Sequence, residues 1–194
     1  FLNYIQDRYQ NQSEDDYKEV VRLCCIAKPL ITWHAENTAT TCRERCGGQG
    51  FLAANRFGEA ISGSHAGITA EGDNRVIQQK VAKELLETVS KTELILFKVN
   101  DRLKKNNLLD VLIFNKFNDL SWYQKIFEKR EYKLLHNLAY DMYKGKNNIY
   151  DTWMFKKSDE IQHLSLAYGE KIVIEQFIKV IEDSDENLKN ILTS

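Results

Sequence analysis

The pattern of hydrophobic and polar positions along the chain is helical almost throughout. Apolar residues recur at intervals of three and four, as in Val20, Cys24 and Ala27, and β-branched residues do not alternate with polar ones over any length. The sequence holds a single proline, Pro29, which we expect to kink the helix that contains it. The pattern therefore predicts an all-α fold, a helical bundle.

The first part of the chain predicts one long helix followed by a loop. The helix begins near Ser13 and continues to Cys46, where Gly47 and Gly48 end it. Residues 51–70 then hold three more glycines and no apolar stripe, which is typical of a loop that crosses the surface.

Apolar periodicity returns in three further helical segments. They are expected at about residues 73–96, 121–144 and 150–183, with connectors rich in lysine and asparagine at 104–107 and 144–148. The side chains predicted to face inward are Val76, Val81, Leu85, Leu86, Val89 and Leu96 in the first segment, and Leu164, Tyr168, Ile172, Phe177, Ile178 and Ile181 in the last.

Charge and composition exclude several classes of partner. The chain has 27 basic and 28 acidic residues and a formal net charge of -1. The two signs are interspersed, so neither a nucleic acid nor an anionic membrane is an expected partner. No apolar run reaches the roughly 20 residues that span a bilayer. The first residues form neither a signal peptide nor a methionine start, and we expect the chain to be a piece of a longer protein.

The cysteines are Cys24, Cys25, Cys42 and Cys46. They form no CxxC pair, and the scattered histidines supply no obvious further ligands, so no metal site is expected. The thiols are predicted to be reduced and mostly packed in the core.

Two short stretches carry a chemical signal. "CRERCGGQGF" at 42–51 places three glycines within four positions, which either ends a helix or lets a phosphate-bearing ligand approach the backbone. "GITAEGDNRV" at 67–76 places a carboxylate where a loop becomes a helix, beside amide groups that favour negative charge. A glycine C-cap and an ordinary N-cap explain the same residues by structure alone, and the two interpretations can hold together.

The two stretches at this spacing resemble the C-terminal α-domain of acyl-CoA oxidases and of the related acyl-CoA dehydrogenases. The upstream "LITWHAENTATTCRERCGG" at 30–48 is similar to the oxidase helix before the glycines, and the "DN" after "EG" looks more like oxidases. The resemblance implies such a domain over residues 1–100. "LAYGEKIVIEQF" at 166–177 is weakly similar to the second helical domain of oxidases, which implies part of that domain over residues 101–194.

The resemblance implies an enzyme of fatty acid β-oxidation. In the family, a fatty acyl-CoA is oxidised to the trans-2-enoyl-CoA, and oxygen is reduced to hydrogen peroxide. Glu71 matches the catalytic base, which removes the pro-R α-proton while the β-hydrogen leaves as hydride to the flavin N5. An α-proton of a thioester is weakly acidic, so this base has to be held in a dry pocket within hydrogen-bonding reach. Donors on the thioester oxygen, in the family the backbone N–H of this glutamate and a flavin ribityl hydroxyl, complete the site.

The same resemblance implies contacts with FAD. The residues matching the turn near the adenine-diphosphate part of the cofactor, often that of a neighbouring subunit, are Glu44, Gly47 and Gly48. Those matching the turn near the flavin are Gly72, Asp73 and Asn74. A homodimer and a peroxisomal location follow by family, with a cytoplasmic or mitochondrial location as the alternative.

Two residues depart from the family pattern. Ala70 stands where a bulky residue is usual, and Arg75 replaces a small polar one. The alternatives are an acyl-CoA dehydrogenase that passes electrons to an electron-transfer flavoprotein, and a non-catalytic helical dimerisation module. The domains that hold most acyl-CoA and flavin contacts in the family precede this region, so we expect the isolated chain to be inactive.

Overall fold

A computed structural model describes residues 2–10, 14–103 and 120–184, and the predicted all-α fold is confirmed. Within these residues the regular elements are all helical. The longer helices are α1 (Leu2–Gln10), α2 (Glu14–Arg45), α3 (Phe57–Thr69), α4 (Asn74–Glu87), α5 (Lys91–Leu103), α6 (Leu120–Lys144) and α7 (Ser158–Glu182).

The first long helix is confirmed as α2, which runs through Pro29 without interruption. A proline inside a helix removes one backbone hydrogen bond, and full burial of Pro29 on the packed face of α2 accompanies that loss. The kink itself stays a prediction. The helix start expected at Ser13 lies outside the described residues.

The loop predicted over residues 51–70 is wrong, because most of it is helix α3. Short 3-10 turns at Gly47–Phe51 and Ala53–Asn55 lead into α3, which packs on α2. A Cβ on Gly67 would lie 3.2 Å from the Thr32 Cγ2 atom of α2. Gly67 therefore allows a close approach of the two helices. Glycine has a low helix propensity, and a prediction based on propensity alone does not include this tertiary contact.

The helix predicted over 73–96 is wrong in its length, since it divides into α4 and α5. A capping box causes the break: the Ser90 N–H donates to Glu93 Oε2 over 2.8 Å, and the Glu93 N–H donates to Ser90 Oγ over 3.2 Å. The bond from the Ser90 backbone holds the pKa of Glu93 below its ordinary value. Val81 and Leu85 are buried as predicted, whereas Val76 and Leu96 are exposed.

The helix predicted over 121–144 is confirmed as α6, and α7 packs against it. The segment predicted as one helix over 150–183 is divided by a π-helical turn at Thr152–Lys156 before α7 begins. Of the inward residues expected in α7, Phe177 is the exposed one, while those buried are Leu164, Tyr168, Ile172 and Ile181. The connector at 104–107 lies outside the described residues.

Lys157 stabilises the junction between the π-helical turn and α7. Its Nζ atom lies 2.8 Å from Asp141 Oδ2 and 2.9 Å from Glu160 Oε1. The hydrogen bond to Asp141, followed by the one to Glu160, raises the pKa of Lys157. The bond from Lys157 in turn lowers the pKa of Glu160 below its ordinary value.

Replacing Lys157 by methionine is expected to lower the free energy of unfolding at pH 7 by about 1 kcal/mol or less, because the pairs are partly exposed. The contribution of Glu160 is present above its unfolded pKa of about 4.3 and disappears as the pH falls through the lowered folded value. The contribution of Lys157 is present below about 10.4 and disappears as the pH rises through the raised value. Urea unfolding across pH measures both limits.

The exposed neighbour Lys156 offers the control for this experiment. Lys156→Met should unfold like the wild type at every pH. A destabilisation by Lys157→Met that stays constant from acid to alkaline pH would instead assign the effect to packing of the lysine stem.

The described helices divide into two compact units, residues 5–81 and residues 1–4 with 82–194. The buried apolar residues of the first unit include Val20, Leu23, Ile26, Ala27 and Val81. Those of the second include Leu85, Phe97, Leu135, Leu138, Ile161 and Leu164. The family-based domain boundary near residue 100 stays a prediction.

The predicted burial of the thiols is wrong. Cys24, Cys42 and Cys46 are exposed, and Cys25 is half-buried; none of these four described residues forms a disulfide. The periodic pattern placed Cys24 beside the apolar face of α2, but Leu23 and Ile26 occupy the core there.

Candidate functional site

The turn between α3 and α4 has an unusual backbone at Glu71 and Gly72. Glu71 has a φ of 58°, and Gly72 has a φ of 104°. The left-handed region costs roughly 1–2 kcal/mol for a residue with a Cβ atom, so surrounding contacts have to hold Glu71 there. Gly72 supplies the second positive φ, which side chains disfavour. The turn presents the exposed side chain of Glu71 at the surface of the first unit.

Lys28, one residue before Pro29 in α2, forms hydrogen bonds to this turn. Its Nζ atom donates to Ile68 O over 3.1 Å, to Gly72 O over 2.7 Å and to Asn74 Oδ1 over 2.8 Å. An ammonium group has three N–H donors, so these bonds use each of them. The acceptors lie before and after Glu71 in the chain, and Lys28 thus fixes both sides of the turn.

Asn74, the first residue of α4, is fully buried under the turn. Its Oδ1 atom accepts from Lys28 over 2.8 Å, and its Nδ2 atom donates to Thr32 Oγ1 over 2.9 Å. Thr32 in turn donates from Oγ1 to Lys28 O over 2.8 Å. A buried amide satisfied at both ends is costly to disturb, and Lys28, Asn74 and Thr32 form one network that closes through the Lys28 carbonyl.

Asp73 begins α4. Its Oδ1 atom accepts from the Arg75 N–H over 2.9 Å, and its carbonyl accepts the first helical bond, from the Ile77 N–H over 3.0 Å. This is the geometry of a helix N-cap, and the carboxylate also favours the positive end of the helix dipole. Capping alone therefore accounts for Asp73 in the first unit.

The glycine-rich turn follows the end of α2, and its glycines differ in what the fold requires of them. Gly47 has a φ of 56°. A Cβ on Gly50 would lie 2.1 Å from Arg43 O, whereas a Cβ on Gly48 would meet nothing within 4 Å. The fold therefore requires glycine at Gly50 and leaves Gly48 without a structural reason. The side chain of Glu44 is exposed beside this turn.

The two predicted groups of site residues lie at different places along α2. The Glu71–Asn74 group is anchored at Lys28, and the group of Glu44, Gly47 and Gly48 lies at its end, near Arg45. At 1.5 Å per residue, Lys28 and Arg45 are roughly 25 Å apart along the helix. Each group is local in sequence, and a ligand that touches both has to be long or has to be present twice.

Lys28 and Thr32 are the residues of this region that were not predicted from the sequence. A signal for Lys28 exists, because it is a lysine among apolar residues at the buried face of α2, one turn before Thr32. Gly50 belongs to the three-glycine stretch, but the reason for it, the nearby Arg43 carbonyl, is a contact that only the fold creates.

Within the described residues, no group of three or more His, Cys, Asp or Glu side chains is arranged to hold a metal ion. Among the same residues, no helix combines the length and the apolarity needed to cross a membrane.

Ala70 and Arg75, which depart from the family pattern, are exposed on either side of this turn. The arrangement offers an accessible carboxylate on a backbone that is held at both ends, at the N-terminus of a helix. A carboxylate in such a position can accept a proton from a ligand that lies over the turn. The described residues leave Glu71 exposed, so the dry pocket expected around the base has to be completed by other parts of the protein.

Comparison with known proteins shows similarity to acyl-CoA oxidases. Residues 2–86 match the family model "Acyl-CoA oxidase, C-alpha1 domain". The human peroxisomal acyl-coenzyme A oxidase 3 is 38% identical over 80 residues, which cover 41% of this chain and 11% of that protein. The acyl-coenzyme A oxidase acox-3 of Caenorhabditis elegans is 28% identical over 212 residues, covering 99% of this chain and 30% of the relative.

A solved structure agrees in fold. The acyl-CoA oxidase-1 of Caenorhabditis elegans, complexed with FAD and ATP, has a TM-score of 0.73 at 18% identity, with 99% of this chain and 29% of that chain covered. Residues 2–86 thus match the C-alpha1 domain of acyl-CoA oxidases, and the fold of the chain is similar to the C-terminal helical region of those proteins, in line with the sequence resemblance. The chain spans less than a third of the length of these relatives.

Proposed function

We propose that this chain is the C-terminal helical part of an FAD-dependent oxidase that converts a fatty acyl-CoA to the trans-2-enoyl-CoA and reduces oxygen to hydrogen peroxide. The observation that carries the proposal is the exposed Glu71, held with a left-handed backbone between two carbonyls that Lys28 binds. Relatives that are acyl-CoA oxidases support it.

Glu71 acts as the base in this proposal. Its carboxylate takes the α-proton of the thioester, and its backbone N–H contributes to binding the thioester oxygen, on which negative charge develops as the proton leaves. A residue held by the fold loses little orientational freedom when the substrate arrives, which favours the reaction geometry.

This chain does not contain a complete cofactor site, and the glycine-rich turn is proposed to form one edge of the FAD site of the complete enzyme. FAD, when bound, supplies the acceptor for the β-hydrogen and the route of electrons to oxygen. The open space over Gly48 lets such a ligand approach the backbone, and Arg43 and Arg45 in the last turn of α2 bring positive charge beside it. Glu44 suits a hydroxyl or amine donor of the cofactor better than its diphosphate.

Gly72, Asp73 and Asn74 are proposed to lie beside the flavin of the complete enzyme. Because Lys28 and Thr32 already bind the amide of Asn74, the backbone of Asn74 is the part left for a direct contact. Asp73 combines this role with capping of α4.

A homodimer and a peroxisomal location complete the proposal. Both are proposed from the family resemblance, and in the dimer a second subunit or a further domain would cover exposed apolar side chains such as Phe51 and Val76, which are 83% and 62% exposed. The human relative is named peroxisomal.

The test is made on the complete protein. It should purify with a flavin absorption spectrum, lose that absorption when a fatty acyl-CoA is added without oxygen, and form hydrogen peroxide when oxygen is admitted. Bleaching without peroxide on reoxidation would favour a dehydrogenase that uses an electron-transfer flavoprotein. A protein that contains no flavin, or whose flavin does not bleach, would contradict the proposal and favour the non-catalytic helical dimerisation module.

A further inference from the structure

We infer that Lys28 is a positioning residue for Glu71, holding the turn so that the carboxylate points in one direction. The inference rests on the proposed function, because it concerns the base of that reaction. Lys28 touches no reacting atom and acts through the backbone on both sides of Glu71.

The three acceptors of Lys28 identify what it holds. Ile68 O belongs to the last turn of α3, where carbonyls lack a helical partner. Gly72 O follows Glu71 directly, and Asn74 Oδ1 lies at the start of α4. One ammonium group therefore joins the end of one helix, the turn and the beginning of the next helix.

A lysine suits this position for electrostatic reasons. Carbonyls at a helix C-terminus carry partial negative charge, which a cation stabilises, and hydrogen bonds from a charged donor are stronger than neutral ones. Lys28 is half-buried, and the desolvation cost of a partly buried ammonium group is reduced when its N–H donors are all hydrogen-bonded. The bonds to Ile68, Gly72 and Asn74 meet that condition.

The turn needs stabilising contacts such as those from Lys28, because Glu71 and Gly72 have successive positive φ values of 58° and 104°. A side chain with a Cβ atom leaves the left-handed region when the contacts that hold it are removed. A carboxylate displaced by about 1 Å from its reactive position can lose on the order of 10²-fold in rate. Loss of these contacts is therefore expected to affect the chemical step more than substrate binding.

The experiment measures anaerobic flavin reduction by a fatty acyl-CoA in the complete enzyme. The variants are Lys28→Met, Lys28→Arg, Glu71→Gln and the double variant Lys28→Met with Glu71→Gln. Lys83, which is exposed on α4, gives the matched control Lys83→Met. Flavin content and the substrate concentration for half-maximal reduction rate are measured in parallel.

Lys28→Met is expected to keep its flavin, to slow reduction by about 10- to 100-fold, and to change the half-maximal substrate concentration much less. Lys28→Arg should recover part of the rate, since it keeps the charge and donors in a different geometry. In the Glu71→Gln background, Lys28→Met should add little further loss. The variant then has no carboxylate at position 71, so moving the turn cannot reduce the rate through the base again. Lys83→Met should behave like the wild type.

Two outcomes would overturn the role of Lys28 while leaving the proposed function intact: full reduction rate in Lys28→Met, or losses that multiply in the double variant. An undiminished rate in Glu71→Gln alone would overturn the proposed function and, with it, the positioning role. If Lys28→Met does not fold, Thr32→Val replaces it, since it loosens the same network at Asn74. It should show a smaller loss, again absent in the Glu71→Gln background, and multiplying losses there would likewise refute the inference.

Discussion

Glu71→Gln in the complete enzyme is expected to slow anaerobic flavin reduction by a fatty acyl-CoA by about 10²- to 10⁴-fold, the typical cost of losing a positioned base. Glutamine keeps nearly the shape of glutamate but cannot accept the α-proton. The side chain is exposed and lies outside the Lys28 network, so the turn should keep its structure. Flavin content should therefore equal that of the wild type, and the loss should fall on the rate alone.

Asp73→Asn is the control for this prediction, because Asp73 lies two residues further on and caps α4. Asparagine is nearly as good an N-cap as aspartate, so stability should change little, and any effect should fall on flavin retention rather than on the chemical step. Undiminished bleaching in Glu71→Gln, at wild-type flavin content, would remove Glu71 from the mechanism and leave the turn as a helix start.

Helices that are held by their own apolar faces could be predicted from the sequence. The segment over 121–144 is observed as α6, and Leu164, Tyr168 and Ile172 are buried in α7, because a repeat of three and four residues places them on one side. The pattern alone decides such elements, since their packing partners only have to be apolar.

Elements whose conformation depends on a partner could not be predicted in the same way. Helix α3 holds three glycines. One of them, Gly67, lies against Thr32 of α2, so the need for a small residue there comes from another helix. The break between α4 and α5 depends on Ser90 and Glu93, whose polar side chains are absent from an apolar pattern although they form a recognisable capping box.

The candidate site shows the same division. The position of Glu71 just before a helix and the N-cap at Asp73 could be predicted because each is local, whereas the role of Glu71 as base stays a proposal. Lys28 lies 44 residues before Gly72 in sequence and contacts it only after folding. Side chains that support a site contact it from elements that are distant in sequence, so their positions follow from the fold rather than from a motif.

Gly50→Ala is expected to destabilise the first unit strongly. The new Cβ atom would lie 2.1 Å from Arg43 O, and the contact involves backbone on both sides, so no side-chain rotation relieves it. The 3-10 turn has to move away from α2, at a cost of about 1–3 kcal/mol or more in the free energy of unfolding. Urea unfolding of the chain, followed by circular dichroism, measures the loss.

Gly48→Ala, two residues earlier, separates the needs of the fold from those of a ligand. A Cβ there meets nothing within 4 Å, so the free energy of unfolding should stay within about 0.5 kcal/mol of the wild type. In the complete enzyme, however, a methyl group at the place where the cofactor approaches the backbone should weaken FAD binding, measured as flavin released on dilution. Because the variant folds normally, a weaker cofactor contact is the cause that remains. Unchanged FAD retention in Gly48→Ala would show that the glycines only end α2, and equal stability in Gly50→Ala would refute the close contact with Arg43.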